Sequence, residues 1–314
     1  MTGLARLLGV MAICGCTLAM AQPGAPTAKA PATPAAAAPA QATIVANPAI
    51  WKVKGAHGTL YLFGSVHVMK PNVDWQTAKV KSAFASSDEL YLEVANMDDT
   101  AALQPMLLQL GLDGDHPLST KISKDDLALL DKAAKGMGLP GEQVMEPMQP
   151  WLVSITLSVV PMLKDGYAPT SGIDTTLLAE SKSAHRPVMG LETMEEQMHI
   201  VADLPQAQQV EMLHKDLSEL DKSAAETNEL VAAWERGDVE RIGKIDNDEL
   251  AMKYPAEYKR MVVDRNQKWA ATLDGLLKDP ATGTVFVAVG AAHLAGPDSV
   301  IKMLEKDGWK VERE

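Results

Sequence analysis

The sequence predicts an α/β fold, with a mainly parallel central sheet flanked by helices and a helical cap beside it. Short apolar segments alternate along the chain with longer helical tracts, which is the pattern of strands joined by crossover helices. The helical tracts between the predicted strands are long enough to supply the cap. Strands are predicted at Trp51–Val53, Thr59–Phe63, Glu89–Val94, Pro187–Gly190, Thr284–Val289 and Trp309–Val311.

The first two strands flank Ala56-His57-Gly58, which predicts a hairpin with a glycine turn. The apolar stretch Trp151–Leu163 is short and includes Pro161, so it predicts a core helix rather than a membrane span. Single helices are predicted at Trp75–Ala85, after Gly172 and at Pro297–Lys306. Two longer helical tracts are predicted, Thr100–Gly166 with Ser123 as one N-cap, and Thr193–Lys278 with breaks near Pro205, Gly237 and Pro255.

The N-terminus has the features of a secretory signal. An apolar run, Leu7–Ala19, precedes Ala19-Met20-Ala21, whose small-x-small pattern suits a signal peptidase. A membrane anchor is the alternative, but the run is short for a bilayer. A lipoprotein attached through Cys16 is the second alternative. We therefore predict a signal peptide over residues 1–21 and a periplasmic or secreted protein.

Residues 22–47 are rich in Ala and Pro, which predicts a disordered, extended tether to the cell envelope or a spacer without further role. The folded domain is expected over residues 48–314. Both cysteines of the chain, Cys14 and Cys16, lie in the predicted signal, so disulfides and thiol catalysis are excluded after cleavage. A net charge of −12 without a basic stripe argues against a nucleic-acid partner.

Two distant segments share one design, an apolar strand followed by Gly-x-x-His. The first ends in Gly64-Ser65-Val66-His67 and the second in Gly290-Ala291-Ala292-His293. Glycine permits a sharp turn out of the strand and a close approach of other groups to the backbone. Each histidine therefore follows a carboxyl end of a strand, where open α/β sheets bind their ligands.

Two further strands end in a carboxylate, Glu93 and Glu192. If the four strands are neighbours, both glutamates meet His67 and His293 at one edge of the sheet. Two imidazoles and two carboxylates suit Zn, Mn or Co with a water in an open position. The same residues could perform acid–base chemistry without a metal, or be hydrogen-bonded structural groups.

The sequence also resembles the TraB/GumN family, which includes the TIKI proteases and the pheromone-shutdown proteins. The resemblance runs from about Trp51 to Val311 and is closest to the GumN-type bacterial branch. The segments that carry it are Tyr61–His67, Leu92-Glu93, Gly172-Ile173-Asp174, Gly190–Thr193 with Gln197, Arg265-Asn266 and Val289–Leu294.

This resemblance implies a metal-dependent hydrolase, with a peptidase activity in the TIKI branch. It implies active-site roles for His67, Glu93 and His293, which we predict to be the metal ligands. Glu192 matches the family's Leu-Glu-Thr motif, and we predict it to be a catalytic base or a group that orients the substrate.

Arg265 is a second catalytic candidate, which could hold a substrate carboxylate or form an ion pair with Glu93, Glu192 or Asp174. Asn266 and Gln197 are expected to orient ligand side chains, and Asp174 could cap its helix. The histidines without a strand-glycine context are interpreted as surface or core residues: His57, His116, His185, His199 and His214.

The sequence therefore predicts an exported hydrolase that cleaves a peptide or small amide with a bound Mn, Co or Zn ion. One alternative is a periplasmic protein that binds a ligand or metal without turnover. Another is an inert module that the tether presents to a partner. Neither the substrate nor the oligomeric state follows from the sequence.

Overall fold

A computed structural model describes residues 42–314 of the chain. The predicted signal peptide, Cys16 and the tether as far as residue 41 lie outside the described residues. The strands of the fold are β1 (Ile44–Val45), β2 (Ile50–Lys54), β3 (Thr59–Ser65), β4 (Val73–Asp74), β5 (Glu89–Leu92), β6 (Val188–Gly190), β7 (Thr284–Gly290) and β8 (Val311–Arg313).

Six of these strands form the central sheet, in the order β6-β5-β7-β3-β2-β8. The pairs β6–β5, β5–β7 and β7–β3 are parallel, whereas β3–β2 and β2–β8 are antiparallel. Three of the five strand pairs are thus parallel, in agreement with the prediction, but the sheet as a whole is mixed. The antiparallel part follows from the predicted hairpin, which puts β2 at the side of β3, and from β8, which adds to β2.

The helices occupy the predicted tracts, although several begin later than expected. For example, the helix expected from Trp75 begins at Ala78, after the short strand β4. Ser123 is the predicted N-cap, and its hydroxyl accepts a hydrogen bond from the Asp126 amide at 3.0 Å. The helices are α1 (Ala78–Ala85), α2 (Thr100–Gly111), α3 (Lys124–Gly136), α4 (Pro150–Lys164), α5 (Ile173–Ser183), α6 (Met194–Ala202), α7 (Gln206–Ser218), α8 (Leu220–Glu235), α9 (Val239–Gly243), α10 (Glu249–Lys253), α11 (Pro255–Tyr258), α12 (Asp264–Lys278) and α13 (Val300–Lys306).

The two faces of the sheet are covered by different helices, because alternate residues of each strand point to opposite faces. Phe286 and its neighbours on one face pack against α1, α5 and α8. On the other face Val285 and Val287 pack against α12 and α13. The sheet is thus the middle layer of a helix–sheet–helix arrangement, as the alternating pattern predicts.

A third apolar cluster joins α2, α4, α6 and α7. It includes Val94 and Ala292, which directly follow the carboxyl ends of β5 and β7, so these helices shield that edge of the sheet. A cap over the sheet stays a prediction. Within residues 42–314 no helix combines the length and apolar character needed to cross a bilayer.

The folded part begins ahead of the expected boundary at residue 48. Strand β1 pairs in parallel with β4, and Ala46 is buried against the core. The last residues of the predicted tether therefore belong to the fold.

Candidate functional site

The strands that precede the predicted site residues lie side by side in the sheet. His67 follows β3, His293 follows β7, Glu93 follows β5 and Glu192 follows β6. Because these four strands are parallel neighbours, their carboxyl ends meet at one edge. The structure thus brings the four side chains together, as the sequence predicts for neighbouring strands.

Gly290 shows how closely these side chains converge. A Cβ atom on Gly290 would lie 3.1 Å from Glu93 Oε1, 3.5 Å from His293 Cδ2 and 3.8 Å from His67 Nε2. The backbone amide of Gly290 donates a hydrogen bond to Glu93 Oε1 at 2.7 Å. The glycine is therefore needed because the side chains of three different strand ends occupy the space next to its Cα.

Arg265, near the start of α12, lies at the centre of this cluster and is 5% exposed. Its Nη2 donates to Glu93 Oε2 and to Glu192 Oε1, each at 2.7 Å, and its Nε donates to Glu192 Oε2 at 3.0 Å. The guanidinium thus holds Glu192 through both carboxylate oxygens and bridges it to Glu93. Of the partners considered from the sequence, the structure selects Glu93 and Glu192 rather than Asp174.

Gln197 in α6 also joins the two carboxylates. Its Nε2 donates to Glu93 Oε2 at 3.1 Å and to Glu192 Oε1 at 2.9 Å. The helix is fixed by a capping box between Thr193 and Glu196, which sets the position of Gln197 one turn further on. Gln197 therefore orients the two glutamates, in agreement with the role expected for it.

His293 is completely buried in a short 3₁₀ turn, Ala291–Leu294. Its Nε2 accepts a hydrogen bond from Arg265 Nη1 at 3.1 Å, so its Nδ1 carries the proton and donates to Asn266 Oδ1 at 2.6 Å. Burial, followed by the charges of Arg265 and His67, holds the pKa of His293 well below its usual range. His293 is therefore a neutral imidazole with a fixed tautomer.

His67 is paired with Asp174, whose Oδ2 lies 2.7 Å from His67 Nδ1. Asp174 is in the first turn of α5, but that helix has Gly172 at its N-cap and no side-chain cap. The suggestion that Asp174 caps the helix is therefore wrong. A Cβ on Gly172 would overlap the His67 carbonyl, so this glycine lets α5 begin against the His67 segment and brings Asp174 within reach.

The environment of His67 favours its protonated form. Burial alone would lower the pKa of His67, but the charge and hydrogen bond of Asp174, together with Glu93, outweigh burial and raise it to about 9. The imidazolium and the Asp174 carboxylate form an almost buried ion pair, with side-chain exposures of 8% and 4%.

The pKa values of Glu192 and Arg265 are also displaced from their usual ranges. Burial raises the pKa of Glu192, and the nearby charge of Glu93 acts in the same direction, against the opposing effect of Arg265 and Gln197. Burial would lower the pKa of Arg265, but Glu93 and Glu192 raise it above its usual value. Two carboxylates thus depend on one guanidinium for their neutralisation.

The backbone that carries Arg265 departs from a regular α-helix. A π-helical turn, Lys259–Val263, precedes α12, and Arg265 Nη1 donates to the carbonyl of Met261 within it at 3.2 Å. Such π turns are frequent at functional sites because they rotate the following side chains relative to a regular helix. The sequence pattern gives no sign of this turn, since its residues read as ordinary helix.

A surface cleft of about 450 Å³ includes Glu192 in its wall. Its walls come from the segment after β5, from α2 and from the turn between β6 and α6. The lining includes apolar side chains and the acidic residues Asp99, Glu192, Glu195 and Glu196. Glu192 therefore belongs both to the buried network and to the wall of an open cleft.

The residues do not fit a metal centre as they are arranged. The Nδ1 atoms of His67 and His293 are hydrogen-bonded to Asp174 and Asn266, as is typical of histidines that bind a metal through Nε2. Imidazole and carboxylate groups are also ligands that Zn, Mn or Co prefers. However, no group of three or more His, Cys, Asp or Glu side chains within residues 42–314 has the arrangement of a ligand set. The Arg265 guanidinium lies between Glu93 and His293, where a shared ion would have to bind. The ligand roles of His67, Glu93 and His293 stay a prediction.

Histidines outside the cluster make local contacts away from it. The rings of three of them pair with nearby aspartates: His116 with Asp113, His199 with Asp203 and His214 with Asp126.

The sequence does not predict the pairing of Asp174 with His67, because the two residues lie in different elements. The only sequence sign of it is the conspicuous Gly172, which permits the close approach.

The comparison with known proteins identifies the family of the chain. The TraB/PrgY/gumN family matches residues 49–313, nearly the whole described domain. This chain belongs to the TraB/PrgY/gumN family. The family resemblance predicted from the sequence is thus confirmed.

Several relatives in this family are similar at low identity. An "Uncharacterized protein YbaP" of Escherichia coli (strain K12) is 24% identical over 78% of this chain and 87% of its own length. An uncharacterized protein of Treponema pallidum (strain Nichols) is 22% identical over 82% of this chain and 80% of its own. "Metalloprotease TIKI2" of Danio rerio is 23% identical over 85% of this chain, which spans only 61% of that relative. No solved structure matches the chain significantly.

Proposed function

We propose that this protein is an exported hydrolase that cleaves a peptide or related amide bond at the cluster around Arg265. The observation that carries the proposal is that Glu192 belongs to two places at once. It is hydrogen-bonded to Arg265 in the buried network, and it is part of the cleft wall. The TIKI relatives, which are named metalloproteases, support the reaction class.

Amide hydrolysis needs a base for the attacking water and an acid for the leaving nitrogen. Glu192 is the proposed base, because it is the member of the cluster that a substrate in the cleft would meet. Its elevated pKa brings it closer to the operating pH, as a general base requires. Glu192 takes the proton of the water while the oxygen of that water bonds to the amide carbon.

His67 is the proposed acid, because its Nε2 faces the cluster while Asp174 fixes Nδ1. The protonated ring donates its proton to the amide nitrogen as the carbon–nitrogen bond breaks, which releases an amine and a carboxylic acid. Arg265 positions Glu192 in this scheme and supplies positive charge close to the developing oxyanion.

The name of the TIKI relatives adds the expectation of a divalent cofactor, with Mn, Co and Zn as candidates. Since Glu93 and His293 are engaged by Arg265, no step of the proposed reaction is assigned to such an ion. The assay therefore includes reactions with each metal and with a chelator.

The test compares Glu192→Gln with Glu89→Gln, which changes a carboxylate at the other end of β5. Cleavage of unstructured peptides is followed by mass spectrometry. Loss of a general base is expected to lower kcat about 10²- to 10⁴-fold in Glu192→Gln, with Glu89→Gln at the wild-type level. A Glu192→Gln variant as active as wild type would remove Glu192 from the mechanism.

A binding protein without turnover is the second candidate, favoured by the burial of the cluster. Glu93, Arg265 and His293 are at most 5% exposed, so a substrate atom has little access to them unless the site opens. If wild type cleaves no peptide under any condition but retains a peptide or amide in equilibrium dialysis, the binding function replaces the hydrolase.

A further inference from the structure

All the guanidinium N–H groups of Arg265 have acceptors. Nε donates to Glu192, Nη2 to Glu93 and Glu192, and Nη1 to the Met261 carbonyl and to His293 Nε2. The guanidinium carbon also lies 4.6 Å from the centroid of the Trp269 ring, which packs against its face. The side chain is thus held by its edge and by one face.

Two of these acceptors are atoms that a metal would need. Glu93 Oε2 accepts from Arg265 Nη2 at 2.7 Å, and His293 Nε2 accepts from Arg265 Nη1 at 3.1 Å. A divalent ion bound to the same lone pairs would lie within a few ångströms of the guanidinium. At such a separation the guanidinium and a divalent ion repel each other strongly, because the Coulomb energy grows with the product of the two charges and falls only with the inverse of their distance.

Water does not weaken this repulsion between the guanidinium and a metal ion at the same acceptor atoms. Arg265 is 5% exposed and Glu93 is 1% exposed, so solvent screens their charges weakly. Removing the guanidinium while both glutamates stay ionised would leave two buried carboxylates with the neutral donors Gln197 and Gly290 but no bound cation to neutralise them, which is strongly destabilising. The His67 imidazolium is paired with Asp174, so the two glutamates need a cation of their own, and the space between Glu93 and His293 admits one.

We infer that Arg265 is the resident cation of this site and that it competes with a divalent metal for Glu93 and His293. A metal ion can be coordinated by both residues only after the guanidinium has left them. The wild-type protein consequently binds Mn, Co and Zn weakly at this site, and loss of the guanidinium increases the affinity. This inference does not depend on the proposed hydrolysis, because it concerns metal binding alone.

The experiment measures binding of Mn²⁺, Co²⁺ and Zn²⁺ to the purified protein by equilibrium dialysis and elemental analysis. Arg265→Met removes the charge and approximates the length of the side chain. Arg260→Met is the matched control, because Arg260 lies in the preceding turn and donates to the His199 carbonyl outside the cluster. Wild type and Arg260→Met should retain substoichiometric metal, whereas Arg265→Met should bind one ion at least about tenfold more tightly.

The metal bound by Arg265→Met should also be lost when His293→Ala is added, which locates it at the cluster. Stoichiometric binding by wild type that His293→Ala abolishes would overturn the inference, as would an unchanged affinity in Arg265→Met.

If Arg265→Met does not fold, wild type alone decides the question by NMR. Bound Mn²⁺ broadens nearby resonances, so the Arg265 Nε–H and His293 ring signals should stay sharp when Mn²⁺ is added. Their selective broadening at stoichiometric Mn²⁺ would show a metal beside the guanidinium and would refute the competition.

Discussion

Gly290→Ala is the sharpest single test of the convergence at the strand ends. The added Cβ would lie 3.1 Å from Glu93 Oε1, so the carboxylate must move by a few tenths of an ångström. Glu93 is not free to move, because Gly290, Gln197 and Arg265 all donate to it. Forcing an extra methyl into such a packed site costs about 1–3 kcal/mol.

At about 2–4 °C per kcal/mol for a domain of this size, the expected fall in Tm is about 2–12 °C. The control is Gly275→Ala on the exposed side of α12, where a Cβ would meet no atom within 4 Å. A helical Gly→Ala change of this kind stabilises by about 0.5–1 kcal/mol. Differential scanning calorimetry measures both variants. If Gly290→Ala melts at the wild-type temperature, the packing around Glu93 is not as described.

Three further outcomes are expected. Asp174→Asn should lower the pKa of His67 from about 9, as read by NMR of its ring. In wild type the folded-state pKa of His67 lies above its unfolded value of about 6.5. The stabilisation by this pair is therefore complete below about pH 6.5 and disappears as pH rises through about 9. Glu195→Lys on the cleft wall should raise KM for basic peptides and lower it for acidic ones, and equal KM values would exclude the cleft as the peptide site. Intact mass of the exported protein should place its N-terminus at Gln22, whereas an acylated Cys16 would contradict signal cleavage after Ala21.

The sequence predicts which side chains lie at the carboxyl ends of the parallel strands, and there is a physical reason for this. Gly-x-x-His after an apolar strand is a local pattern, and parallel strands necessarily end at the same edge. The sequence leaves open whether the strands before His67, Glu93, Glu192 and His293 are neighbours, and the structure makes them so in the order β6-β5-β7-β3. Family membership was recognisable from the same segments.

Other features depend on contacts that no local pattern records. The predicted hairpin accounts for one antiparallel pair of the sheet, but the second, between β2 and β8, joins segments far apart in the sequence. The central place of Arg265 depends on a π-helical turn that resembles ordinary helix in sequence. From the sequence, Asp174 could cap its helix or pair with Arg265, yet His67, from another element, is the partner of its carboxylate.

The pairing of distant strands also determines when the cluster can form. Thr59 in β3 lies opposite Thr284 in β7, and Trp51 in β2 lies opposite Arg313 in β8, so the sheet joins the two ends of the domain. Contacts between residues so far apart in sequence form slowly, because a long loop must close before they are made. A nascent chain that lacks β7 and His293 has neither the middle strand nor half of the histidine pair. The polar cluster is thus a late product of folding, absent from every partial chain that ends before His293 and present only when β7 has joined the sheet.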